Sequence, residues 1–227
     1  MRRLWESMNK KWLAGPYLVW MVGFIVIPLL LIVYYGLTDK SGAFTLANVL
    51  SISTPEHVKA LYLSLGLSLV STVICLLLAY PLAMILRNRG IGQGSFIVFI
   101  FILPMWMNFL LRTLAWQTLL EKSGVINGIL TALHLPNQNL INTPGAIILG
   151  MVYNFLPFMV LPIYNVLCKI DDNTINAARD LGASFTQTLL WVWLPLSVPG
   201  IISGITMVFV PSLTTFVISN LLGGSKI

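Results

Sequence analysis

The side chains that could make or break bonds are few in this chain of 227 residues, and they stand apart. The two histidines, His57 and His134, are isolated and lack the spacing of metal ligands. The two cysteines belong to no CxxC pair. Cys75 lies inside an apolar run and Cys168 at the end of another, so both read as small hydrophobes. No nucleophile can be assembled with a base and an orienting partner. There is no G-x-x-x-x-G-K-S/T run to cradle nucleotide phosphates. Gly90-Ile91-Gly92-Gln93-Gly94 follows no strand and reads as a turn. The expectation is a chain with no catalytic residues, no metal ligands and no cofactor of its own. Any work it does draws on a partner or an ion gradient.

The elements around these residues are apolar. Hydrophobic residues make up 57% of the chain and charged residues only 9%, against about 25% charged in soluble domains. A soluble fold of this size could not hide so much apolar surface, so lipid is the natural solvent. The net charge of +6 is scattered without a basic stripe, which argues against nucleic acid. Five stretches reach the length of roughly 20 apolar residues that a membrane helix requires: Gly15–Leu37, Leu61–Leu86, Phe96–Leu120, Gly145–Cys168 and Leu196–Leu222. None alternates with a period of two, so the fold class is all-α, a polytopic helical bundle in a membrane. The first stretch is too long for a signal-peptide core and reads as an uncleaved span. Residues 1–14 form a cytoplasmic N-terminal segment and 15–227 one transmembrane domain. Lys and Arg set the orientation. With the N-terminus inside, the inner segments hold Arg2, Arg3, Lys10, Lys11, Arg87, Arg89, Lys169 and Arg179. The outer ones hold Lys40, Lys59, Lys122 and Lys226. The N-terminus is therefore expected in the cytoplasm. A short apolar piece, Val125–Leu135, is expected to lie along the outer surface.

The inner loop 169–195 is longer than a connector needs, and it carries helix signals. Asp171, Asp172 and Asn173 can cap an N-terminus. A short helix over Thr174–Leu181 then ends at Gly182 in the left-handed conformation. Ser184-Phe185-Thr186-Gln187 is a capping box for a second helix running to Leu194, with Pro195 marking the start of the fifth span. Helical spacing puts Ile175, Ala178, Leu181 and Gly182 on one side and Asn176, Arg179 and Asp180 on the other. The small residues Ala177, Ala178 and Gly182 admit a close approach by another backbone. Docking into a partner protein suits this pattern better than lying on lipid headgroups, which would favour larger anchors and more Lys or Arg.

The run Asn176-Ala177-Ala178-Arg179-Asp180-Leu181-Gly182-Ala183-Ser184, followed by Val192-Trp193-Leu194-Pro195, resembles the EAA loop of bacterial ABC importer permeases. That pattern is Glu-Ala-Ala, three residues, Gly, nine residues, then Ile-x-Leu-Pro. Both Ala, the Gly, the Leu-Pro and every spacing match, while Asn176 replaces the usual Glu and Val192 the usual Ile. The resemblance implies that the loop helix docks on a cytoplasmic ATPase subunit through Asn176, Ala177, Ala178, Asp180, Leu181 and Gly182. It implies an ATPase dimer that holds ATP and Mg, a second homologous permease and an extracytoplasmic substrate-binding protein. It also implies six spans, so a sixth is expected beyond the five visible. Ala177–Ser184, Pro211–Phe216 and Phe101-Ile102-Leu103-Pro104 resemble the permeases of spermidine/putrescine importers, with sulfate or iron importers as related branches.

No Asp or Glu lies within any span, and Arg112 is the one charged residue inside them. Buried at the bilayer centre, an Arg costs roughly 2.5–3.5 kcal/mol, so Arg112 must face protein or water or snorkel outward. Candidate pathway residues are Ser212, Thr214, Thr215, Phe216, Ser219 and Asn220 in the fifth span, Trp106, Asn108, Arg112 and Trp116 in the third, and Tyr153, Asn154 and Tyr164 in the fourth. For any single one of them helix packing is the commoner reason, and Trp and Tyr can equally sit in an interfacial belt. Thr214-Thr215-Phe216 is the gate candidate because Pro211 loosens the helix just before it. A polyamine would find aromatic faces here but no carboxylate, so an acidic site would have to come from a partner. A secondary transporter working alone is the rival reading, and it would normally place more ionisable groups in its spans.

Overall fold

A computed structural model describes residues 15–39, 41–88 and 103–224. The described residues are helical apart from turns and one isolated bridge, Thr38 with Phe44. In chain order the helices are α1 (Gly15–Gly36), α2 (Ala47–Leu50), α3 (Pro55–Asn88), α4 (Phe109–Leu120), α5 (Val125–Ala132), α6 (Pro144–Leu167), α7 (Asp172–Asp180), α8 (Phe185–Thr214) and α9 (Phe216–Gly223). Among the described residues α1, α3, α6 and α8 are long and apolar enough to cross a membrane. The predicted third span falls partly on residues 96–102, outside the described residues, and its visible part ends in α4. Residues 1–14 also lie outside the described residues, as does the Gly90–Gly94 turn.

The chain divides into two compact units, 1–61 and 62–227. In the first, no residue of α1 is buried, as suits a helix apolar on all sides and solvated by lipid. The turn after it is fastened by Asn48, whose Nδ2 donates to the carbonyls of Tyr35 at 3.2 Å and Thr38 at 3.1 Å.

In the second unit α6 is the most enclosed of the four long helices. Lipid tails are as apolar as Leu, so burial alone does not drive these helices together; close packing and hydrogen bonds do. The sequence of α8 supplies a stripe of small residues at every fourth position, Gly200, Gly204, Val208 and Ser212, all buried. A Cβ at Gly200 would lie 2.9 Å from the Pro162 carbonyl oxygen, and one at Gly204 would lie 2.7 Å from Met159 Sδ. The backbones of α8 and α6 therefore approach closely and run antiparallel. Gly150 plays the same part toward α9, where a Cβ would collide with Leu222. α3 runs parallel to α6, with Ser71 Oγ donating to Met151 Sδ at 3.4 Å and Tyr80 Oη 3.1 Å from Ser197 Oγ on α8. The C-terminal ends of α3 and α6 and the head of α8 thus meet at one end of this unit, where α7 sits.

Three details differ from the sequence reading. The second loop helix does not stop before the fifth span: Phe185–Thr214 is continuous, and a π-turn over Leu189–Trp193 carries the ladder into Pro195. The wider turn shifts the carbonyl that a proline ring would otherwise strike. Pro211, expected to loosen the fifth span, lies within continuous helix, and the break falls at Thr215 inside the gate candidate, extended at φ −79° and ψ 100°, before the chain resumes as α9. Finally, α7 occupies Asp172–Asp180 rather than Thr174–Leu181, because Asp171 is the residue that caps it.

Candidate functional site

α7 is a self-contained piece of local chemistry. Asp171 accepts a hydrogen bond from the Asn173 N–H at 2.9 Å, while Asp172 in the first turn and Arg179 in the last complement the helix dipole. At the other end Gly182 has φ +82°, its N–H donates to the Arg179 carbonyl at 2.8 Å, and the Ala183 N–H reaches the Ala178 carbonyl at 3.1 Å. These two bonds form a Schellman motif. Ser184 then opens α8 with a complete capping box, its N–H donating to Gln187 Oε1 at 2.8 Å and its Oγ accepting from the Gln187 N–H at 3.3 Å.

Ile175 is buried and anchors α7, and Ala178 is half-buried behind it. Asn176, Ala177, Arg179 and Asp180 face outward. Leu181 is 89% exposed. It shares a groove with Ala178 and Gly182, which helical spacing placed on its side, while Ile175 of the same set turns into the core. Ala178, Leu181, Gly182 and Ala183 line an open groove with Gln187, Thr188, Trp191 and Val192. Leu181 and Trp191 are both exposed and present apolar surface to it. The groove is lined largely by apolar and small side chains, with Gln187 and Thr188 as its polar members.

Arg87, at the end of α3, holds this surface in place. Sequence reading counted it only as an inner positive charge. Its Nε donates to the Leu167 carbonyl at 2.9 Å, and its Nη2 donates to the Ile170 carbonyl at 2.8 Å and to Asp172 Oδ1 at 2.7 Å. Its Cζ lies 4.3 Å from the centroid of the Trp193 ring. The two carbonyls belong to the last turn of α6 and the bend after it, where intrahelical donors run out. Hydrogen bonds from a charged donor to such groups contribute about 1.5–3 kcal/mol each. No local signal in the sequence could have paired residue 87 with residues 167–193.

The proposed pathway residues separate into two groups. Thr214, Thr215, Phe216, Ser219 and Asn220 come together around the break between α8 and α9, in a cleft of about 370 Å³ that also includes Ser64 of α3. Phe216 is 76% exposed there. The others lie elsewhere. Ser212 is buried in the small-residue stripe of α8. Asn108 caps α4, its Oδ1 accepting from the N–H groups of Leu110 and Leu111 at 2.8 and 3.3 Å. Asn154 is buried and donates to the Gly150 carbonyl at 2.9 Å. Tyr153 packs edge-on against Trp116, and Tyr164 is buried in α6. Trp106 is largely exposed. Arg112 is 7% exposed, and its Nε and Nη1 have no hydrogen-bond partner among the described residues.

Another polar side chain overlooked at the sequence level is Asn127 of α5. It is buried, donates to the carbonyls of Glu121 and Gln138 at 3.1 Å each, and accepts from the Gln138 N–H at 2.9 Å. It staples the loop 121–138 onto itself.

Comparison with known proteins agrees with this architecture. Residues 79–227 match the family model described as the binding-protein-dependent transport system inner membrane component. The chain is 34% identical to the spermidine/putrescine transport system permease protein PotB of Haemophilus influenzae, over 92% of this chain and 76% of that one. It is 36% identical to the protein of the same name in Escherichia coli K12, over 91% of this chain and 78% of that one. The fold is similar to that in the crystal structure of a bacterial alginate ABC transporter in complex with a periplasmic protein bound to an alginate pentasaccharide. The TM-score is 0.70 at 20% identity, covering 88% of this chain and 72% of that one. The chain therefore belongs to the family of inner-membrane components of binding-protein-dependent transport systems, and is a multi-pass permease component of an ABC importer.

Proposed function

We propose that this permease imports a polyamine, spermidine or putrescine, and that it supplies half of the translocation pathway. A second, homologous permease supplies the other half, an extracytoplasmic binding protein delivers the substrate, and an ATPase dimer that holds ATP and Mg drives the cycle. ATP hydrolysis belongs to that partner and not to this chain. The N-terminus is cytoplasmic, and α7 docks on the ATPase through Asn176, Ala177, Ala178, Asp180, Leu181 and Gly182.

The observation that carries this reading is α7 itself: a helix capped at both ends, anchored by Ile175, with Leu181 fully turned out beside a groove of small residues. Two-state levers of this kind need a rigid element and a socket. The substrate class is supported by the names of the two PotB relatives and by the cleft at the helix break. The carbonyls of the last turn of α8 lie at an interruption of the helix and carry the negative end of its dipole. With Thr214, Thr215, Ser219, Asn220 and the exposed face of Phe216, they offer an ammonium group acceptors and a π surface without any carboxylate. The same set suits a cation better than sulfate.

The test is co-purification with the neighbouring subunits and reconstitution in liposomes. Spermidine with its binding protein should stimulate ATP hydrolysis and be taken up with it. Uptake that persists without the ATPase would replace this reading with a secondary transporter, and stimulation by sulfate or iron but not by polyamines would move the substrate to a related branch.

A further inference from the structure

We propose that Arg87 is a positioning residue that transmits movement of α7 to the spanning helix α3, an inference that rests on the ATPase-coupling reading and adds the route by which the motion enters the membrane.

The guanidinium gathers groups from three other parts of the fold. On one side lie the Leu167 and Ile170 carbonyls and the face of Trp193, all of them at the cytoplasm-facing joint of α6, the bend and α8. On the other lies Asp172, in the first turn of α7. The Arg87 side chain is only 12% exposed, while that of Asp172 is 78% exposed. The clasp therefore has a fixed jaw, packed and hydrogen-bonded, and a solvent-facing jaw mounted on the element that a partner would push. A rocking of α7 moves Asp172 relative to Leu167 and Ile170, and the planar fork must either follow it or give up the ion pair. Following it drags the end of α3, because Arg87 sits in the last turn of that helix. Among the described residues the side-chain hydrogen bonds from α3 to the 167–172 bend all come from Arg87. Through Ser71 and Tyr80 the far parts of α3 touch α6 and α8, so its displacement reaches the helices that lead to the cleft at Thr214–Phe216. A Lys would keep the charge but could hold neither the fork nor the stack.

The experiment uses the complete complex with its ATPase and binding protein in liposomes, comparing wild type with Arg87→Gln, Arg87→Lys and Asp172→Asn. Two quantities are read: ATPase subunits retained per permease, and spermidine imported per ATP hydrolysed. The expected result is that Arg87→Gln retains its ATPase and hydrolyses ATP but imports about tenfold less per ATP, inside the 5–150-fold span of ordinary coupling energies. Arg87→Lys should recover part of the loss, and Asp172→Asn should show a smaller one. A purely structural role would lower assembly and leave the ratio of import to hydrolysis unchanged in whatever assembles, which would overturn the proposal. If Arg87→Gln does not assemble, Arg87→Lys and Asp172→Asn decide it, and a wild-type ratio in both overturns it. Failure of the wild-type permease to retain any ATPase would instead overturn the coupling reading itself.

Discussion

Replacing Gly182 separates two jobs that the loop asks of one residue. The first is conformational. Its φ of +82° lies where an L side chain costs roughly 1–2 kcal/mol. A Cβ built there meets no atom within 4 Å, so the chain itself offers no steric objection and the backbone cost is the whole penalty. The alternative is to unwind the cap, which sacrifices the bonds at 2.8 and 3.1 Å, each contributing about 0.5–1.5 kcal/mol. The second route costs about 1–3 kcal/mol for the two bonds, so the backbone route at about 1–2 kcal/mol sets the penalty, a factor of 5–30 in local opening. Amide exchange at Ala183 should accelerate by about that factor in Gly182→Ala and Gly182→Leu, and by less in Gly182→Asn, since Asn tolerates the left-handed region. The second job is to leave room for a partner, because the space around that absent Cβ is the groove beside Leu181. ATPase retention should therefore fall with side-chain size, from Ala through Asn to Leu, with membrane levels unchanged. Gly182→Leu is expected to lose uptake despite normal insertion. Wild-type uptake and ATPase retention in that variant would refute the docking surface, and unchanged exchange at Ala183 in all three would refute the cap.

Gly200→Val should destabilise the bundle by about 1–3 kcal/mol or prevent its assembly, because the Pro162 carbonyl that its Cβ would press on is backbone and cannot yield; a wild-type melting profile of the detergent-solubilised protein would contradict the packing of α8 on α6. Asn127→Leu leaves the carbonyls of Glu121 and Gln138 and the Gln138 N–H without their partner, at about 1–3 kcal/mol for each group that stays buried, and should make the loop 121–138 sensitive to limited proteolysis without altering insertion. Phe216→Ala should weaken polyamine uptake by about 1 kcal/mol, near fivefold in apparent affinity, if the ring face receives an ammonium group; unchanged uptake and unchanged basal ATP hydrolysis would remove Phe216 from the pathway.

The loop 171–187 was almost fully readable from the chain because its structure is local. Asp171 caps a helix that begins beside it, Gly182 ends the same helix, and Ser184 and Gln187 bond each other three residues apart. The spans were readable for a similar reason, since a helix in lipid must satisfy its own backbone and announces itself by length and apolarity. Where neighbours along the chain do not decide, the reading failed. Pro195 looks like a boundary until the π-turn before it is known. For Asn108 and Asn154, chosen by residue type, the structure supplies the bonds that type alone could not: one caps α4 and the other bonds one turn back within α6.

By itself, then, the order of residues determined that the chain would be apolar helices, that the segment after α6 would hold a short capped helix, and that Gly182 would end it. Each of these follows from interactions within a turn or two of helix. Only the tertiary structure decided that Gly200 and Gly204 bring two backbones together, that the last span breaks at Thr215 to form a cleft with Ser64, and that Arg87 grips carbonyls some 80 residues away. Contacts of that kind depend on how helices lie side by side. In a membrane that choice rests on shape and a few polar bonds rather than on hydrophobicity, which every face of these helices shares.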